Sequence, residues 1–100
     1  MNNFIDVIGK TTDGKGVVNG VWKTFETYGL PLDIIFEVCL RKGCVPDWIE
    51  LYKQMLISGM EHGRILSKLE EAINDSFGKE FGAVVISRLD KIFNSTGNSL

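Results

Sequence analysis

This sequence has no stretch apolar enough to cross a bilayer. Its apolar runs are short, as in Ile34-Ile35-Phe36 and Val84-Val85-Ile86, against the roughly 20 residues that a spanning helix needs. No secretion leader is expected either, because Met1-Asn2-Asn3-Phe4-Ile5-Asp6 lacks a basic start and breaks its apolar run at Asp6. There are only two cysteines, Cys39 and Cys44. With no sign of export they read as free thiols in a reducing, cytoplasmic setting. Basic excess is missing too: 11 Lys and Arg stand against 13 Asp and Glu, a formal net charge of −2. Nucleic-acid affinity comes largely from phosphate neutralisation, so direct nucleic-acid binding is not expected. Broad acidic mimicry of DNA is excluded as well, since the longest acidic string is Glu70-Glu71.

What is present is a well-punctuated chain of 100 residues with 44% apolar content, enough for a single core. Gly29 precedes Pro31, Gly43 precedes Pro46, and Gly59 and Gly78 stand alone. Glycine past a helix end and proline at a helix start are stop and start signals. They divide the chain into helices over about 16–28, 31–42, 46–58, 61–77 and 79–93. Val18, Val21, Trp22, Phe25 and Tyr28 line the apolar face of the first. The second is apolar nearly all round, apart from a narrow strip of Asp33, Glu37 and Arg41, and belongs at the centre. In the third, Pro46 opens the helix, Asp47 and Glu50 occupy its first turn, and Trp48, Leu51, Tyr52, Met55 and Leu56 line one face.

The fold class expected is all-α: a compact single-domain bundle of five or six short helices over residues 1–93, with a flexible polar tail over 94–100. The N-terminus fits two structures. Phe4, Ile5 and Ile8 suit a short helix capped by Asn2 or Asn3. Asp13-Gly14 is instead a hairpin turn signal that would pair Val17-Val18 with Val7-Ile8. The helix is favoured, because the rest of the chain is helical.

The chemical motifs are weak. Gly9 through Gly14-Lys15-Gly16 has the spacing of a phosphate-binding loop, but Gly16 stands where a magnesium-binding Ser or Thr belongs, so a surface loop is expected. His62 is the single histidine and has no facing partner in sequence, so it reads as a surface or structural residue. Cys39 reads as a small core residue and Cys44 as an accessible turn residue. No metal, cofactor or catalytic group emerges, and no enzyme is expected. Cys39, Gly43 and Ile49 match the spacing of a helix-turn-helix, which makes a transcription regulator the alternative function. Against it, the second helix would offer Asp47 and Glu50 to phosphate.

The segments Gly29-Leu-Pro31, Val45-Pro46-Asp47-Trp48-Ile49-Glu50-Leu51-Tyr52 and Leu69-Glu-Glu-Ala72-Ile73-Asn-Asp75-Ser-Phe77-Gly78 resemble small accessory proteins of phages and mobile elements. Anti-CRISPR proteins among them are similar in size, mild acidity and single-domain build. The resemblance implies a non-catalytic inhibitor or adaptor that occludes a basic, nucleic-acid-holding surface of an effector complex with its own carboxylates. Here the modest net charge leaves room only for a local acidic patch. Asp33, Glu37, Asp47 and Glu50 are the candidate carboxylates, with Trp48 as an anchor, since aromatic residues dominate binding hot spots. Five amphipathic helices in one small chain also leave apolar surface for a homodimer.

Overall fold

The computed structural model describes residues 6–98. Two strands come first, β1 (Asp6–Lys10) and β2 (Gly16–Asn19), followed by α1 (Val21–Tyr28) and α2 (Leu32–Arg41). A three-residue strand, β3 (Cys44–Pro46), precedes α3 (Trp48–Ile57), α4 (His62–Phe77) and α5 (Lys79–Asn98). The fold is therefore mostly helical but not all-α. The strands form one sheet in the order β1-β2-β3.

The hairpin replaces the expected N-terminal helix over residues 6–10; Phe4, Ile5 and the caps Asn2 and Asn3 lie outside the described residues. β1 runs antiparallel to β2, pairing Val7 with Val18 and Gly9 with Val17, so that Ile8 is the extra residue of a bulge. β2 also claims residues 16–19 from the expected first helix. Val17-Val18 is β-branched and fits a pleated surface better than a helix. Gly20, at φ 77°, then turns the chain into α1, a conformation that glycine adopts without the Cβ clash other residues meet.

The parallel pairing of β2 with β3 is what the helix-only reading missed. Val17 sits opposite Val45, and Val18 opposite Pro46. Pro46 does not open α3 as expected. It ends an edge strand, where a missing N–H costs no ladder bond, and the next amide, Asp47, donates to the Val18 carbonyl at 2.7 Å. Asp47 is accordingly the N-cap of α3 rather than part of its first turn, accepting the Glu50 N–H at 3.2 Å.

The central position of α2 is as expected: Leu32, Ile35, Phe36 and Cys39 are buried. The core joins them to Leu51 and Met55 of α3, Ile65, Leu69 and Ile73 of α4, and Val85 and Leu89 of α5. Trp48 sits at the junction of four helices, edge-on to Phe36, Phe77 and Phe81 at ring-centroid distances of 5.3, 5.8 and 5.9 Å. The last helix does not stop at Phe93 but continues to Asn98; Ser99 and Leu100 of the expected tail lie outside the described residues.

Candidate functional site

The five residues singled out from sequence do not form one patch. Glu37 is tied to Arg41 one turn on, with Oε2 2.9 Å from the guanidinium. Asp47 is occupied by its capping bond. Glu50 points inward. Burial pushes its carboxyl above the usual value, a backbone hydrogen bond from Gly20 opposes that, and the neighbouring charge of Asp47 raises it further. One of its oxygens, Oε1, is enclosed without a hydrogen-bond partner. Trp48 is 9% exposed and belongs first to the core. Only Asp33 remains an exposed carboxylate with no ion-pair partner among the described residues.

Asp33 finds its companions on α4 instead. It lines an open groove of about 400 Å³ with Glu71 and Asp75, whose spacing of four places them on one helix face. The Ser76 hydroxyl donates to the Asp33 carbonyl at 3.3 Å, fixing the start of α2 against the end of α4. All three carboxylates are exposed and none is in an ion pair among the described residues. Among the described residues the one cation in the groove, Lys68, is drawn to the Phe25 ring, its Nζ 5.6 Å from the centroid. The groove floor is apolar, supplied by Phe25, Leu32 and Ala72. Glu71 and Asp75 are not among the candidates that the sequence offers. No local signal ties them to Asp33, some 40 residues away in the chain.

His62 is structural, and its partners were also hidden by sequence distance. Its Nδ1 lies 2.8 Å from the Tyr52 hydroxyl and its Nε2 2.8 Å from Asp90 Oδ1. Burial, and then the charge of Asp90, push the Tyr52 phenol above its usual value, which keeps it neutral.

The glycine-rich stretch before β2 is a closed turn. The Thr11 N–H donates to the Lys15 carbonyl, the Gly14 N–H to the Thr11 carbonyl, and the Lys15 N–H to the Thr11 hydroxyl. These amides are used within the turn and are not presented to a phosphate. β3 likewise stands where a helix-turn-helix needs its tight turn. Both cysteines are free, Cys39 buried and Cys44 partly exposed. Among the described residues no group of three or more His, Cys, Asp or Glu is placed to hold a metal ion, and no helix is long and apolar enough to cross a membrane.

No family model, curated protein or solved structure matches the chain.

Proposed function

We propose that this chain is a non-catalytic protein-binding module, an inhibitor of the anti-CRISPR kind, that covers a basic surface on a nucleic-acid-handling effector complex. The observation that carries the reading is the placement of Asp33, Glu71 and Asp75. They are three exposed, unpaired carboxylates from two packed helices around one apolar-floored groove. Such an arrangement suits Lys and Arg side chains of a partner, whose aliphatic stems can lie on Phe25 while the charged heads meet the rim. Fixed carboxylates steer a basic surface and set its register more than they add raw affinity.

The reading replaces the continuous α2–α3 patch anticipated from sequence with an α2–α4 patch that keeps Asp33. The test uses purified guide-loaded effector complexes of several CRISPR types, mixed with the protein before or after target DNA. Co-elution on size exclusion before DNA is added, and its loss after DNA is bound, is the expected pattern. Co-elution with none of them, or a mobility shift of bare duplex DNA by the protein itself, would contradict the reading.

A further inference from the structure

A second groove lies between the sheet and α5. It encloses about 310 Å³, at the lower end of the range for small-ligand sites. Separate parts of the fold supply its apolar walls: Val17 and Val45 from paired strands, Trp48 from the start of α3, and Phe81 and Val84 from α5. Val45 and Trp48 are buried, Phe81 is half-buried, and Val84 is exposed at the lip. The Trp48 and Phe81 rings meet with centroids 5.9 Å apart, so two aromatic side chains stand together in the wall. Trp48 is thus both a core residue and part of a concave surface.

Four charged residues stand at the rim: Asp13, Lys15, Asp47 and Arg88. Their formal charges cancel, so the mouth selects for neither sign alone. Asp13 and Lys15 belong to one turn and serve each other: Asp13 accepts the Thr11 hydroxyl, and the Lys15 charge acts on its carboxyl. The charges left over are one of each sign, on different helices. Asp47 accepts the Glu50 N–H through Oδ1 and keeps Oδ2. Among the described residues Arg88 makes no ion pair. An apolar enclosure with one carboxylate and one guanidinium at its mouth suits a small molecule that has an apolar body and carries both charges itself.

We propose that this groove binds a free aromatic α-amino acid, with its ring against Trp48, Phe81 and Val84, its ammonium on Asp47 and its carboxylate on Arg88. The ring gains edge-to-face or offset contact with the two aromatic walls beyond the area it buries. The planar guanidinium of Arg88 pairs with a carboxylate through two parallel hydrogen bonds. A simple aromatic acid or amine brings one charge only and leaves Asp47 or Arg88 without a counter-charge. A residue inside a peptide has given up both charges to its amide bonds. This does not rest on the reading of Asp33, Glu71 and Asp75, which line a different groove.

The probe is free phenylalanine, titrated into the isotope-labelled full chain and followed by amide chemical shifts. Its controls are 3-phenylpropanoate, which lacks the ammonium, phenethylamine, which lacks the carboxylate, and alanine, which lacks the ring. Phenylalanine should move the amides of Trp48, Val84 and Arg88 saturably and bind at least about tenfold tighter than each control. Arg88→Gln changes an exposed helix position, and Asp47→Asn keeps a side chain that caps helices well, so both variants should fold. Each should weaken phenylalanine binding about tenfold. Asp47→Asn should leave the affinity for 3-phenylpropanoate unchanged, and Arg88→Gln that for phenethylamine. Shifts that do not saturate by about 10 mM, shifts confined to other surfaces, or undiminished binding by both variants would overturn the proposal. So would 3-phenylpropanoate or phenethylamine binding as tightly as phenylalanine, which would assign the groove to aromatic molecules of one charge.

Discussion

His62 Nε2 and Asp90 Oδ1 lie 2.8 Å apart across 28 residues of sequence, and the same imidazole is stacked on Phe93 with ring centroids 3.7 Å apart. With its other nitrogen on the Tyr52 hydroxyl, one side chain links α3, α4 and α5. Tyr52 is 2% exposed, so removing the ring strands a buried hydroxyl. His62→Ala should cost about 1–3 kcal/mol, and Tyr52→Phe about 0.5–1.5 kcal/mol. Urea denaturation of the double variant should show a loss smaller than the sum of the two, because the hydroxyl is no longer there to strand. Full stability in His62→Ala would show that the three helices are not held through this ring.

A second prediction separates two glycines. Gly43 sits at φ 70°, between α2 and β3, where a β-branched residue is strained. Gly43→Val should destabilise by about 1 kcal/mol or more. Gly63 lies in α4 with ordinary helical backbone and open space around a built Cβ. Gly63→Ala should raise stability by about 0.5 kcal/mol. Thermal melts of the two variants moving in the same direction would contradict this assignment of backbone conformations.

Glu50 gives a pH dependence with a definite sign. Its carboxyl is raised above the ordinary 4.5, chiefly by burial. The folded state therefore holds this proton more tightly than the unfolded chain does. Stability contributed at this position is greatest at low pH and declines as pH rises from about 4.5 through the raised value. Glu50→Gln should flatten that part of the profile and gain most, relative to the parent, at neutral pH. An unchanged slope between pH 4 and 7 would place the carboxylate in water.

The cysteines should differ sharply in reactivity. Cys39 is fully buried, and burial, with a smaller contribution from Cys44, pushes its thiol up to about 11. The thiolate is the reactive form, so this side chain is inert while the fold persists. A thiol-titrating reagent should count one fast group in the native protein, lost in Cys44→Ser, and two in urea. Two fast groups without denaturant would mean that the α2 face bearing Cys39 is open.

The helices were legible because their signals are local. Gly29 stops α1 at φ 69°, Gly78 divides α4 from α5, and the four-residue spacing of Ile65, Leu69 and Ile73 names the buried side of α4. The sheet was not, because its parallel partner is remote. Val17 and Val45 meet only after the chain has passed through α1 and α2, and a three-residue strand has no periodicity to read. Pro46 added to the error: the same residue type suits a helix start and the end of an edge strand, and only the bond from the Asp47 amide to Val18 decides between them. The acidic surface was half legible for the same reason. Asp33 was found from its polar strip, whereas Glu71 and Asp75 join it only through the packing of α2 on α4. Glu50 was lost from the patch to a backbone amide, at Gly20, that sequence does not place.

The most direct test of the α2–α4 carboxylate surface is DNA occupancy of purified CRISPR effector complexes, followed by anisotropy of a labelled target duplex as the protein is added. Its Asp33→Lys, Asp75→Lys double variant, altered only at exposed positions, is run in parallel after its helical circular dichroism and melting temperature are matched to the parent. The parent should displace DNA from at least one effector type, and the folded variant should be weaker by about tenfold or more, as expected when interfacial charge pairs are reversed. Displacement by both proteins at the same concentration, or by neither, would contradict a carboxylate surface between α2 and α4 as the site of action.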